Sequence, residues 1–380
     1  MTAFTKLVAG IALLTVIGLA SAAYAGTTYV YISNAEDNNI GVYTLAADGT
    51  LTPGPRVEAG GKLVMPMSVS PNKRFLYAAL RIKPYQVATF AIDPKTGGLT
   101  LLSKAPLPET SPYIRTDKTG RYLFAAGYGG ALVSVNGIGK DGKATEPIQV
   151  IPTARNPHSI VTDNTNHYVF VPHLGSDEVF QFVFNARTGK LTANTPPLVL
   201  MKANTGPRHI IISSDNKFAY LLSELVGTVT TLSLDDKTGL LTTVSEVSIL
   251  PPGSKLKPGL PRLPAGQGDE PRDVTNDIWA SDLHLTPDGK FLYAAERTNN
   301  TMSAFSVDTA TGKLTYLSSI TTEKQPRGFA IDPTGKYMIV TGELSDTISV
   351  YSIGANGALT LLKKYPTGKD SNWVEIVSFD

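Results

Sequence analysis

An all-β fold is predicted by three features of this 380-residue sequence: a hairpin pattern that occurs six times, a second pattern that follows it, and a chain that starts and stops inside a unit. The first pattern aligns MSVSPNKRFLYAAL (67–80), IRTDKTGRYLFAAG (114–127), SIVTDNTNHYVFVPH (159–173), IIISSDNKFAYLLSE (210–224), LHLTPDGKFLYAAER (283–297) and FAIDPTGKYMIVTGE (329–343). Each copy has two apolar runs of strand length around a turn rich in Asp, Pro, Asn and Gly, which is the composition of an antiparallel hairpin. The second pattern gives FAIDPKTGGLTLLS (90–103), FVFNARTGKLTANT (182–195), LSLDDKTGLLTTVS (232–245), FSVDTATGKLTYLS (305–318) and YSIGANGALTLLKK (351–364). Two hairpins make four strands, and a period of roughly 45 residues falls in the range of a four-stranded propeller blade.

The chain ends supply the blade count. TTYVYISNAEDNNIGVYTLAADGTLT (27–52) has the second, third and fourth strands of a unit, and NWVEIVSFD (372–380) reads as a first strand with nothing after it. If the C-terminal strand completes the N-terminal blade, six full units become seven and the ring closes without a free edge. The prediction is a seven-bladed β-propeller forming a single domain over residues 26–380. It is interrupted between blades 5 and 6 by a Pro- and Gly-rich insertion at 253–276, within PPGSKLKPGLPRLPAGQGDEPRDVTNDIW (251–279). A pair of β-sandwiches would leave the two partial units unexplained.

Residues 1–25 stand apart. Lys6, the apolar run from Leu7 to Ala20 and Ala23-Tyr24-Ala25 have the tripartite form of a secretory signal peptide, too short to span a bilayer comfortably, with cleavage expected near Ala25. An exported, periplasmic location follows, with no membrane attachment after cleavage. There is no cysteine, so stability must come from a core. Of 34 Lys and Arg one lies in the leader, against 32 Asp and Glu outside it, so the exported chain would carry +1. That balance gives no electrostatic case for nucleic acid or anionic lipid as a partner.

Counting outward from the turn centre at Asn216 pairs Arg208 with Glu224, sixteen residues on, at one end of a blade. The same count pairs His158 with Leu174, Ser281 with Arg297, and Arg327 with Glu343. First strands of a propeller line its channel, so these residues should ring one mouth. The ring is chemically uneven. Arginines suit oxyanions and carboxylates, whereas histidine and glutamate can move protons. Together they are the parts needed for attack of water on an ester-like carbonyl.

The motifs NPHS (156–159), GPRH (206–209), SEL (223–225), LHLTPDGKFLYAAERT (283–298) and QPRGF (325–329) resemble the seven-bladed lactonase propellers, typified by bacterial 6-phosphogluconolactonase and related to the fungal carboxy-muconate lactonizing enzyme. The resemblance covers essentially the whole chain after the leader. It implies hydrolysis of a small-molecule sugar lactone without metal or other cofactor, with His158, Arg208, Glu224 and Arg297 catalytic. Glu224 or His158 would be the base, and Arg208 and Arg297 would hold the carbonyl oxygen. Arg327, Arg81, His209 and Trp279 are the expected substrate-binding residues, Trp279 through a sugar-stacking face. A leader is a departure from the mostly cytoplasmic relatives. It shifts the expected substrate from a sugar phosphate to an aldono-1,5-lactone such as gluconolactone or galactonolactone. The alternatives are a muconate-type cycloisomerase and a non-catalytic binding platform.

The remaining histidines are read as structural: His167 and His173 at the surface or rim, His284 inside a first strand. None has metal-ligand spacing. The sequence carries no signal for oligomeric state, and the insertion could overhang the pocket as a lid.

Overall fold

The computed structural model describes residues 26–263 and 272–379, so the leader and residues 264–271 of the insertion lie outside the described residues. Every regular element is a β-strand, and the strands form seven four-stranded antiparallel sheets. Six sheets are sequence-continuous, and the seventh joins the C-terminal strand Ser371–Phe379 to the N-terminal strand Thr27–Asn34. Its register runs from Thr27↔Phe379 to Ser33↔Trp373 before a shift at Asn34. The chain is a seven-bladed β-propeller closed as its two partial units require.

Burial is graded across a blade. Second strands such as Phe75–Leu80 and Phe218–Ser223 are buried throughout, because neighbouring blades cover both faces. Fourth strands such as Leu241–Ser248 show mainly exposed and half-buried residues at the rim. The inner hairpins are set by side chains that satisfy turn amides. Asp163 Oδ1 accepts from the His167 and Tyr168 amides at 2.8 and 2.9 Å, and Asp332 holds Lys336 and Tyr337 in the same way.

One contact recurs at all seven blade joints. The outer-hairpin glycine of each blade lies against an aromatic residue at or near the start of the second strand of the blade before it. A Cβ on Gly97 would fall 2.3 Å from the Tyr29 ring, on Gly142 2.1 Å from Phe75, on Gly189 2.3 Å from Tyr122, and on Gly239 2.1 Å from Tyr168. The circuit continues with Gly312 on Phe218 and Gly357 on Phe291, and Gly49 on Tyr337 closes it. Gly239 also has φ +68°, a conformation that disfavours any side chain.

First strands line the channel, and their registers are not uniform. In the hairpin Pro207–Ile212 with Phe218–Ser223 the ladder pairs Ile210 with Leu221 but Pro207 with Ser223, which leaves Arg208 as an extra residue. The same slip occurs between Ala280 and Leu283, and between Val64 and Met67. Such bulges re-aim side chains. Arg208 and Glu224 are therefore not Cα partners on a regular ladder, as counting from the turn implied, but meet through their side chains.

Candidate active site

Six residues after each joint aromatic, the end of the second strand delivers a side chain to one mouth of the channel: Ala35, Arg81, Tyr128, Leu174, Glu224, Arg297 and Glu343. The bulged first strands add Arg208, and His158 and Arg327 come from the equivalent positions of their own blades. Arg81, Tyr128, His158, Arg208, Glu224, Arg297 and Arg327 line one pocket, completed by Pro112, Trp279 and, from the insertion, Arg262 and Leu263. Its empty volume is about 480 Å³ including the open mouth, a size suited to a small ligand.

The ion pairs form a chain across the pocket. Glu224 Oε2 accepts from Arg208 Nε at 2.6 Å and from Arg297 Nη2 at 3.0 Å. Arg297 Nη1 is 3.7 Å from Glu343 Oε2, whose other oxygen accepts from Arg327 Nη1 at 2.7 Å. Arg208 and Arg297 are 1% and 2% exposed, so removal of Glu224 would leave Arg208 without its ion-pair partner and Arg297 with only the longer contact to Glu343. Arg81 differs from the rest. Its bonds are to Thr110 Oγ1 at 3.3 Å and Met65 Sδ at 4.0 Å, and no carboxylate pairs with it among the described residues. Burial and the neighbouring Arg327 pull it down to about 9, which leaves it charged at neutral pH. Burial likewise draws Arg297 to about 9 against the pull of Glu224.

His158 is the opposite case. Burial, then the charges of Arg208 and its other cationic neighbours, hold its pKa well below the usual imidazole value, so the ring is neutral. Tyr128 packs edge-on at 5.6 Å and His209 lies tilted at 5.3 Å. Nδ1 is buried without a hydrogen-bond partner. A neutral imidazole thus stands beside several guanidiniums, while Glu224, the carboxylate that lines the pocket, is committed to two of them.

Three expectations change on the structure. Trp279 reaches the pocket, but its ring is sandwiched between Arg297 and Arg262, at 3.6 and 3.8 Å from the centroid, so its faces are not free to stack on a sugar. His209 does not line this pocket; it faces the channel beyond Arg208, in a second cavity with Asp282, His284 and Trp373. His173, expected at the surface or rim, is fully buried, with Nδ1 bonded to the Val171 carbonyl at 2.8 Å. His284 is half-exposed and bonded to Asp282.

Sequence reasoning missed Tyr128, Arg262 and Asp370 as neighbours of the site. Tyr128 was accessible in principle, since Pro112 and Tyr128 have the same sixteen-residue separation as Arg208 and Glu224. Arg262 had no such signal. It is brought in because the described part of the insertion is tied to the blade ends by Gly259 N to Leu225 O and Tyr128 Oη to Arg262 O, at 2.8 and 3.0 Å. Asp370 is pushed up to about 7 by burial and by Glu343.

Fold and site together define a propeller whose channel mouth is an arginine-rich pocket with a neutral histidine. The chain belongs to the lactonase family of seven-bladed β-propellers, whose model matches residues 22–376, and it is an enzyme of that carboxylic-ester-hydrolysing class. It is 36% identical to the 6-phosphogluconolactonase of Serratia proteamaculans over 92% of this chain and 98% of the relative, and 37% identical to that of Pectobacterium carotovorum over 92% and 99%. Among solved structures it is similar to the periplasmic gluconolactonase of Pseudomonas aeruginosa, with 26% identity, a TM-score of 0.78, and coverage of 92% and 99%.

Proposed function

We propose that this protein is an exported lactonase that opens an aldono-1,5-lactone, such as gluconolactone or galactonolactone, to the aldonic acid. The observation that carries the reading is the pairing of a neutral, unpartnered imidazole with a surplus of guanidinium charge in one small pocket. His158 takes the proton from the attacking water. Glu224 holds Arg208 and Arg297, both of which donate to its Oε2. Those two arginines stabilise the oxyanion that develops on the carbonyl, the largest single contribution expected in such a site. Arg81 and Arg327 receive the carboxylate formed when the ring opens. Export is supported by the form of residues 1–25 and by the similarity to a periplasmic gluconolactonase.

A second reading has its own observation. Arg81, free of any carboxylate among the described residues, would suit a lactone that already bears an anion, as in the substrate named for the 6-phosphogluconolactonase relatives. Proton release in weak buffer, measured with glucono-, galactono- and 6-phosphoglucono-1,5-lactone and corrected for spontaneous hydrolysis, separates the two. Acceleration lost in His158→Ala and preferring the uncharged lactones supports the first reading, and a marked preference for the phosphorylated one supports the second. No acceleration by a folded protein would overturn both.

A further inference from the structure

Beyond Arg208 lies a buried pair that the hydrolytic steps above do not use. His209 Nε2 is 3.0 Å from Arg208 Nη1, and His209 Nδ1 is 2.8 Å from Asp282 Oδ1. A guanidinium can only donate hydrogen bonds. Nε2 must therefore present its lone pair to Arg208, which places the ring proton on Nδ1, directed at the Asp282 carboxylate. Chemistry alone fixes the tautomer, and Asp282 is itself held, by the Leu283 amide at 3.0 Å and by His284 Nε2 at 3.1 Å. Burial, then Arg208, outweigh Asp282 and bring His209 to about 4, so the ring stays neutral over the ordinary pH range.

The arrangement uses up one side of Arg208. Nε is bonded to Glu224, and Nη1 to His209 and to the Ser281 carbonyl. Nη2 has no partner among the described residues, and Arg208 lines the pocket, so Nη2 is the donor left for a substrate. We propose that Asp282 and His209 are positioning residues that lock the guanidinium plane of Arg208 and aim Nη2 at the lactone carbonyl oxygen. This rests on the lactonase reading. It gives His209 a role in the reaction without contact with the substrate. It also explains why a bulge occurs at Arg208: the extra residue lets consecutive side chains serve two sides of one wall.

The test compares His209→Phe, which removes both bonds but keeps the ring, with His209→Gln, whose amide oxygen can again accept from Arg208. His209→Phe should lower kcat by about tenfold to a hundredfold with KM changed by less than about threefold. His209→Gln should recover most of that loss although both variants melt at a similar temperature. Wild-type kcat in His209→Phe, or no recovery in His209→Gln, would overturn the lock. Nitrogen NMR of the full protein labelled at histidine gives a readout independent of turnover. The Nδ1–H tautomer is expected at His209 and should persist in Asp282→Asn, where Arg208 still donates to Nε2 and the amide oxygen can still accept from Nδ1–H, and a wild-type Nε2–H tautomer would overturn the proposal even in an active enzyme. A protein inert toward every lactone but showing the Nδ1–H tautomer would instead remove the hydrolytic reading, and with it the lock's catalytic meaning.

Discussion

The two ends of the second strands obey different rules. At or near the start of every one stands an aromatic ring, Tyr29, Phe75, Tyr122, Tyr168, Phe218, Phe291 or Tyr337, seated on a glycine of the next blade. Six residues later the same strands present Ala35, Arg81, Tyr128, Leu174, Glu224, Arg297 and Glu343, five residue types over seven blades. All of these strands are largely buried and paired on both sides, so the secondary structure does not explain the contrast. The joint must be the same seven times, because any blade that packed differently would spoil closure of the ring. The mouth must be uneven, because one substrate has only one carbonyl, one attacking water and one leaving oxygen.

That contrast can be broken from either side. Deleting Ser371–Phe379 removes the strand that completes the first blade, and it should have the largest effect: no cooperative thermal unfolding transition, with aggregation through the exposed edge of Thr27–Asn34. Next comes the mouth. Arg208→Ala and His158→Ala should each lower kcat by about a hundredfold or more. His158→Ala should leave the melting temperature nearly unchanged, whereas Arg208→Ala should also destabilise, because it leaves Glu224 with a single partner. Gly239→Ala tests the joint. Positive φ and the Tyr168 ring should cost roughly 2–4 kcal/mol in denaturant unfolding, with kcat of the folded fraction unaltered.

Two pH effects are smaller. His173 and His209 are both held near 4 by burial, while the unfolded chain protonates its imidazoles near 6.5. The unfolded state therefore binds more protons between these values, and stability is full above pH 6.5 and falls as the pH drops toward 4, by up to about 3 kcal/mol for each group. Urea titrations at pH 7 and pH 4.5 should show it, with a smaller difference in His173→Phe. Asp370, pushed up to about 7 by burial and Glu343, ionises as the pH rises past neutrality beside Arg81 and Arg327. An added negative charge there should raise KM by a few-fold between pH 6.5 and 8.5. Asp370→Asn should abolish that rise, and a KM that climbs equally in the variant would refute the assignment.

The sequence by itself determined the blade count, the closure and much of the mouth. Repeated hairpins carry local signals, apolar alternation and turn residues, that survive without any knowledge of neighbours, and equal spacing around a turn already brought His158, Arg208, Glu224, Arg297 and Arg327 to one place. Only the tertiary structure decided which way each side chain faces. The bulge at Arg208 sends that arginine into the pocket and His209 away from it, and one residue of register cannot be read from composition. Two guanidiniums cover the faces of Trp279 because the insertion delivers Arg262 from outside the repeat. Asp282 meets His209 from the next blade, 73 residues on, across a joint that no local pattern encodes. Periodicity fixes what each blade repeats, whereas the chemistry of the channel arises where blades meet, and contacts between blades are properties of the closed ring.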